Sequence, residues 1–175
     1  MPNSIDGIDT KILHLIQTDA ALSVADIAEK VGLSSSPCWR RIKRMEEIGV
    51  IKQRVTVLNR EKLGLTFEVF ASVKLALPNR ENMRKFETAI STMPEVVQSS
   101  VVTGSVDYML RVITKDMQTY EDFLRVQLLS IDLISDIESR IVMRHAKDSQ
   151  AIPLNLISSS AVSYTHLTLP TIYSV

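Results

Sequence analysis

Basic and hydroxyl side chains alternate with apolar ones along residues 34–45, the stretch SSSPCWRRIKRM. Arginine and lysine donate hydrogen bonds to base edges and to phosphate oxygens, and serine hydroxyls make shorter contacts of the same kind. A helix with one such polar face and one apolar face fits the major groove of DNA while packing on its own domain. The chemistry indicated is nucleic-acid recognition.

A rotation of about 100° per residue separates the two faces of this helix. The apolar face, which we expect in the core, carries Cys38, Ile42, Met45 and Ile48. The side chains predicted to contact base edges in the groove are Ser35, Ser36, Trp39, Arg40 and Lys43. Arg41 and Arg44 flank that face and are predicted to contact phosphates, and Ser34 is predicted to cap the helix at the DNA surface.

Three of these assignments have structural alternatives. The basic cluster is equally expected of an ordinary solvated helix face, unless the elements around it favour DNA. Trp39 is the only tryptophan and can serve either as a stacking group or as a half-buried structural residue. Cys38 is predicted to be a buried, inert thiol.

The elements before this helix favour DNA binding. Ser23 and Asp26 form a capping-box pattern that starts a helix at Val24, and Gly32 supplies the left-handed turn that ends it. A further helix is predicted over about residues 7–18, after a second capping pattern at Asp6. Three helices with a tight turn before the last one are typical of a helix-turn-helix domain.

The segment after Gly49, VIKQRVTVL, alternates apolar and polar residues. It predicts a short two-stranded wing, or one strand leading into a linker, with Lys52 and Arg54 facing the DNA backbone. Residues 37–62 hold eight Lys and Arg against three Glu, although the whole chain has zero formal net charge. DNA contact is therefore expected to be confined to this region. Polar residues and a glycine over 59–66 predict a linker.

The second half of the chain predicts a different architecture. Strand periodicity over 68–77, helical periodicity from Asn79 to about Met93, strands over 96–102 and 108–113, a helix over 117–129 and a strand over 134–143 give the order βαββαβ. The predicted fold class is α/β (α+β): an N-terminal winged helix-turn-helix plus a C-terminal ferredoxin-like sandwich.

The sheet face away from the helices predicts a partner. Phe70 and Val142 on that face indicate cover by another subunit. Because one helix-turn-helix contacts only one half-site, dimerisation through this domain would supply the second copy.

Composition limits the remaining possibilities. The 175 residues include one cysteine, which excludes an internal disulfide framework and a multi-cysteine zinc site and favours the reducing cytoplasm. No segment predicts a membrane span or a signal peptide, and no cofactor or metal is predicted. The alternative class, a ligand-binding module or enzyme on the second half, has little support because His14, His145 and His166 lack catalytic partners at a motif spacing.

Several separated motifs resemble the Lrp/AsnC, or feast/famine, family of bacterial and archaeal transcription regulators. They are IDxxDxxIL from Ile5, VGLSxSPCWRRIKR from Val31, GVI from Gly49, GSVDY from Gly104 and VMRHAK from Val142. The resemblance covers residues 5 to about 156. It implies double-stranded DNA and a small effector, often an amino acid, as partners, and a homodimer that assembles to tetramers or octamers.

The resemblance also implies an effector site at an interface between dimers, around the turn between the second and third strands of the sandwich. The residues so assigned are Thr103, Gly104, Ser105, Val106, Asp107 and Tyr108, with Met117, Arg140 and Val142 more weakly. Chemically, Gly104 would let backbone N–H groups approach a carboxylate, and Asp107 would accept from an ammonium group. The alternative is that Gly104 only makes the turn and Asp107 only caps it.

Some positions depart from the family pattern. Val106 replaces an aromatic residue, Ala21 an arginine, and Arg54 the aromatic residue of the wing, so pocket volume and backbone contacts are expected to differ. Residues 158–175 resemble translated cloning or adapter sequence and are expected to be disordered and without function. The expected organisation is a DNA-binding domain over 1–58, a linker over 59–66, a sensing and oligomerisation domain over 67–157, and this tail.

Overall fold

The computed structural model describes residues 5–161, and within them the chain forms two units. The first unit comprises the residues up to Thr56 together with those from Asp148 onward, and the second comprises Val57–Lys147. The predicted tail lies mostly outside the described residues, since only its first four positions, 158–161, fall within them.

The first unit is a three-helix helix-turn-helix domain. Helix α1 spans Gly7–Thr18, α2 spans Val24–Val31 and α3 spans Ser35–Glu47. Asp6 and Ser23 each form a complete capping box at the start of α1 and α2, as predicted. Gly32 adopts φ +73° between α2 and α3, which confirms the left-handed turn.

The core of the first unit is built from the apolar faces that the sequence predicts. Cys38, Ile42 and Met45 of α3 are buried against Ile12 of α1 and Ile27 of α2. Burial raises the pKa of the Cys38 thiol, with a smaller opposing effect from the Arg41 charge. The thiol therefore stays protonated at neutral pH, in agreement with an inert structural cysteine.

Two local expectations are corrected here. The strand predicted after Gly49 is absent from the described chain: residues 52–59 have no regular secondary structure. Val55 and Val57 are largely exposed, because no second strand lies beside this segment to pair with it.

The second correction concerns residues 148–157, which the sequence placed in the sensing domain. They return to the first unit, where a 3-10 helix over Leu154–Ala161 contacts α1.

The second unit is the predicted βαββαβ sandwich. Its elements are β1 (Phe67–Leu75), α4 (Arg80–Ser91), β2 (Val96–Val101), β3 (Tyr108–Thr114), α5 (Met117–Phe123) and β4 (Ile134–Ile141), with a π-helical extension of α5 over Leu124–Leu128. The strands form one antiparallel sheet in the order β2-β3-β1-β4. This is the ferredoxin-like order, with the two middle positions occupied by β3 and β1.

The two faces of the sheet differ in cover. Val69, Ala71, Val73 and Leu75 of β1 are buried beneath α4 and α5, as their alternation predicts. Leu77, the last residue of the strand predicted over 68–77, lies beyond the end of β1 and is exposed. The opposite face carries Phe70 and Arg111 side by side with Arg140, and none of these is fully buried.

Candidate DNA-binding surface and effector site

The exposed face of α3 carries the residues predicted to enter the groove. Ser34, Ser35, Ser36, Arg40 and Lys43 are exposed, and so is Trp39, with 51% of its surface accessible. Exposed side chains are available to contact a ligand, so this face suits a recognition surface better than a packing surface. Trp39 lies outside the buried core of this unit, and its accessible surface is compatible with stacking on a ligand.

The start of α3 leaves a serine hydroxyl available. Ser34 occupies the N-cap position, but its side chain forms no capping hydrogen bond. An N-cap hydroxyl normally accepts from the N–H of the second or third helical residue, and the third residue here is Pro37, which has no N–H. The predicted side-chain cap is therefore wrong, and the hydroxyl remains able to contact a phosphate.

Arg41 and Arg44, which the sequence predicts to contact phosphates, form ion pairs within the protein and keep 30% and 36% of their side-chain surface exposed. Arg41 Nη1 lies 2.7 Å from Asp6 Oδ2 and 2.8 Å from Asp9 Oδ1, and Arg44 Nη2 binds the other oxygen of Asp9. The side chain of Asp9 is completely buried. The hydrogen bonds from Asp6 and Asp9 raise the pKa of Arg41, so its charge is fixed. These arginines hold α3 on α1.

Sequence reasoning did not find this pairing, although a signal for it was present. The spacing of Asp6 and Asp9 predicts a cap, and Asp6 does accept from the Asp9 N–H at 2.8 Å. That backbone bond and the Arg41 guanidinium lower the pKa of Asp6. Two carboxylates in the first turn of a helix, opposite two arginines on a neighbouring helix, indicate an ion-pair cluster as well as a cap.

Two further ion pairs share Glu46, beside the residues predicted to face the groove. Lys43 Nζ lies 2.7 Å from Glu46 Oε2, and Arg54 Nη2 lies 3.4 Å from Glu46 Oε1. The hydrogen bond from Lys43 is the largest cause of the lowered pKa of Glu46. Both cations retain exposed surface, and Lys52 is exposed as well. A phosphate would compete with Glu46 for these two groups.

The turn between β2 and β3 brings together the first five residues of the predicted effector site. Thr103, Gly104 and Ser105 are exposed, and Val106 and Asp107 are half-buried. Gly104 has φ +131°, a conformation that L side chains rarely adopt, so the turn requires a glycine at this position. The turn thus presents a short stretch of accessible backbone.

Asp107 anchors this turn to the sheet. Its Oδ2 accepts from the Leu75 N–H at 2.8 Å, and its own N–H donates to the Val73 carbonyl at 2.9 Å. The capping role that was left open in the sequence is therefore present. The other carboxylate oxygen, Oδ1, has no protein hydrogen bond among the described residues. One carboxylate can hold the turn and still accept from a ligand.

The remaining predicted effector residues lie apart from the turn. Tyr108 is fully buried and donates to Glu87 at 3.0 Å; burial, followed by this bond, raises the pKa of its phenol to about 12. Met117 is exposed at the start of α5. Arg140 and Val142 lie on or just after β4, which β1 separates from β3. Arg140 is thus about 10 Å from β3, two strand spacings away.

Among the described residues, no group of three or more His, Cys, Asp or Glu side chains is arranged to hold a metal ion. Within the same residues, no helix is long and apolar enough to cross a membrane. Cavities of about 400, 370 and 310 Å³ are present, and none is lined by the 103–107 turn.

A helix-turn-helix with an exposed, basic recognition helix, joined to a ferredoxin-like sandwich, defines a two-part DNA-binding regulator. Comparison with known proteins gives a separate family match for each of the two parts. Residues 5–52 match the model of a winged helix-turn-helix DNA-binding domain, and residues 68–152 match the Lrp/AsnC ligand-binding domain.

Known relatives agree with this assignment. The chain is 35% identical to the DNA-binding transcriptional activator DecR of Escherichia coli over 150 residues, which are 86% of this chain and 99% of DecR. The crystal structure of an AsnC family transcriptional regulator from Agrobacterium tumefaciens has a TM-score of 0.82 at 41% identity, covering 86% of this chain and 98% of that one. A transcriptional regulator of Neisseria meningitidis, solved in complex with L-Met, has a TM-score of 0.85 at 30% identity, covering 88% and 99%.

The chain belongs to the Lrp/AsnC family and is a DNA-binding transcriptional regulator. The family resemblance and the fold class predicted from the sequence are confirmed.

Proposed function

We propose that this regulator contacts DNA bases through Ser35, Ser36, Trp39, Arg40 and Lys43, and that it responds to an amino acid bound at the 103–107 turn. The observation that carries the proposal is a difference between the arginines of α3: Arg41 and Arg44 are ion-paired with Asp9, while Arg40 is exposed. Ser34, Lys52 and Arg54 lie on the flanks, where phosphates would pass. The protein is not an enzyme and works in the cytoplasm.

The effector proposal rests on the chemistry of the turn and on one relative. Free backbone at Gly104 suits a carboxylate, and Asp107 Oδ1 suits an ammonium group, which together match an amino-acid zwitterion. The Neisseria regulator binds L-Met. Because Arg140 and Val142 lie away from the turn within one copy, a ligand that contacts both groups bridges copies of a homo-oligomer built from dimers.

The DNA proposal is tested with duplexes selected by the wild-type protein from a random pool. Replacing Arg40 and Lys43 together with Ala should reduce affinity for the selected duplex to that for random duplex, because base contacts supply the specificity. The change in the free energy of unfolding should stay within about 0.5 kcal/mol, as is usual at exposed sites. Affinity is measured by fluorescence anisotropy at several salt concentrations.

The matched control replaces Lys11 and Lys30 with Ala, which removes two exposed charges from α1 and α2 of the same unit. This control should retain specificity. Equal losses in the two double variants would contradict the assignment and would indicate only a general charge effect.

The effector proposal is tested by screening the twenty amino acids for a thermal shift. A ligand at one hundred times its Kd stabilises by about 2.7 kcal/mol. Asp107→Asn should abolish the shift while keeping an oxygen that accepts from the Leu75 N–H. Asp132→Asn, an exposed carboxylate elsewhere in the unit, is the control. A shift of wild-type size in Asp107→Asn would place the ligand elsewhere.

A further inference from the structure

Glu68 of β1 is a buried carboxylate that the DNA-binding and effector sites do not use. Its side chain is 1% exposed and lies on the sheet face away from α4 and α5. Oε1 accepts from Arg111 Nε of the neighbouring strand β3 at 2.6 Å. A buried charge with a single partner would be costly, so its other contacts matter.

The second oxygen of Glu68 binds two segments that lie outside the sheet. Oε2 is 2.9 Å from Arg60 Nη2, in the turn before β1, and 2.8 Å from His145 Nε2, after β4. Arg60 also donates to the Leu65 carbonyl at 3.1 Å, which fixes its own turn. One carboxylate oxygen therefore joins residues 85 positions apart in the sequence.

These two segments are the covalent connections between the two units of the chain. The chain enters the second unit at Val57 and leaves it at Lys147. Arg60 follows the entry by three residues, and His145 precedes the exit by two. Both connections are thus attached to the sheet close to the points where the chain enters and leaves the second unit.

The charge of Glu68 is maintained by its surroundings. Burial acts to raise its pKa, but the hydrogen bonds from Arg111 and His145 and the charges of Arg111 and Arg60 outweigh it, and the net pKa is lowered. The carboxylate is therefore ionised at neutral pH. Ionic hydrogen bonds to a carboxylate that is itself buried are stronger than the same contacts between two exposed groups.

We propose that Glu68 is a positioning residue for DNA binding: it clamps both connections to the sheet and thereby shortens the free chain between the DNA-binding and sensing units. With the clamp, three residues, 57–59, precede the first attachment to the sheet at Arg60; without it, the first attachment is Thr66, whose Oγ1 donates to the Lys115 carbonyl at 3.0 Å, and nine residues, 57–65, precede it. Hydrogen-bonded turns over 59–65 keep part of this segment folded, so the gain in reach is smaller than the roughly 20 Å that six extended residues would span.

The consequence concerns two DNA-binding units held in one oligomer, so the inference rests on the proposed function. Short, fixed connections restrict which half-site spacings two units can occupy together, and long ones relax this restriction. Affinity for one half-site does not depend on the connections. The clamp therefore sets spacing specificity and leaves intrinsic DNA affinity unchanged.

The test compares the full-length wild type with Glu68→Gln and with Glu61→Gln. Glu61 is an exposed carboxylate 3.9 Å from the same Arg60, so it matches the charge change without the clamp. Duplexes carry two copies of a wild-type-selected half-site at stepped spacings. We expect the DNA affinity of the wild type and of Glu61→Gln to vary about tenfold or more across the series of spacings. The affinity of Glu68→Gln should vary less than about threefold. All three should bind a single half-site equally.

Hydrogen exchange provides a readout that does not depend on DNA. Peptides covering residues 57–66 and 142–147 should exchange faster in Glu68→Gln, while β3 should keep its protection. If Glu68→Gln unfolds the sheet, the double variant Arg60→Gln, His145→Gln removes both attachments and leaves the Glu68–Arg111 pair intact.

The outcomes are separable. Wild-type spacing dependence or wild-type exchange in the folded clamp variants would overturn the clamp. Failure of the wild type to bind any half-site, together with faster exchange in Glu68→Gln, would contradict the proposed DNA contacts while supporting the clamp.

Discussion

At the scale of single residues, Asp9 decides what the basic residues of α3 do. Four cationic side chains, at positions 40, 41, 43 and 44, are adjacent in sequence. A buried carboxylate on α1 engages Arg41 and Arg44, and leaves Arg40 and Lys43 toward solvent. Asp9 therefore binds two of the four cations of α3, while Arg40 and Lys43 stay exposed, Lys43 being paired with Glu46 of the same helix.

Replacing Asp9 should destabilise the first unit, because it leaves two arginines without their shared partner. We expect Asp9→Asn to lower the free energy of unfolding by about 2 kcal/mol, below the full cost of a broken buried pair since both arginines are partly exposed. Urea denaturation measures this change in the free energy of unfolding. Glu47→Gln, which removes an exposed negative charge from α3, should change stability by less than about 0.5 kcal/mol. Equal effects would mean that the Asp9 pairs contribute nothing specific.

At the scale of elements, the helix-turn-helix follows its local signals closely, and the segment after it does not. Capping residues and a left-handed glycine are local features, so the sequence places α1 and α2 to within a residue. A strand has no such independence, because it needs a neighbour for its backbone hydrogen bonds. Residues 52–59 have the alternation of a strand and lack such a neighbour among the described residues 5–161.

The strands of the sandwich show the opposite case. Residues of β1 pair with β3 on one side and β4 on the other over almost their whole length. Their alternation was enough to predict the face beneath the helices, because a period of two assigns every second side chain to the same side. The same alternation places Glu68 on the opposite face but does not predict its burial, which comes from partners in three different segments.

At the scale of the whole molecule, the described residues form two separate cores, and residues 148–157 group with the first unit. Leu154 is 7% exposed and is part of the cluster that includes Ile12 and Cys38. Gln17 of α1 exchanges two hydrogen bonds with the backbone of Ile152, at 3.1 and 3.2 Å. The first unit is therefore completed by residues that follow the entire second unit in sequence.

Removing the Leu154 side chain should destabilise the first unit selectively. Leu154→Ala should lower the free energy of unfolding of that unit by about 2 kcal/mol, the cost of a small cavity at the edge of a core. Amide exchange in α1 should rise, while exchange in β1 and β3 should stay at the wild-type level. Ile152→Ala, at a position 64% exposed, is the control and should have little effect. Unchanged exchange in α1 would show that the segment adds no stability.

The sequence by itself determined the properties that depend on neighbours in the chain: the caps, the helix faces, the βαββαβ order and the motifs of the family. These are set by local backbone chemistry and by periodicity, which a single sequence displays directly. Tertiary structure decided how charges are shared, because ion pairs join residues far apart in sequence. Asp9 with Arg44, Glu68 with His145, and Leu154 with α1 all required the fold, since only packing brings such groups within contact distance.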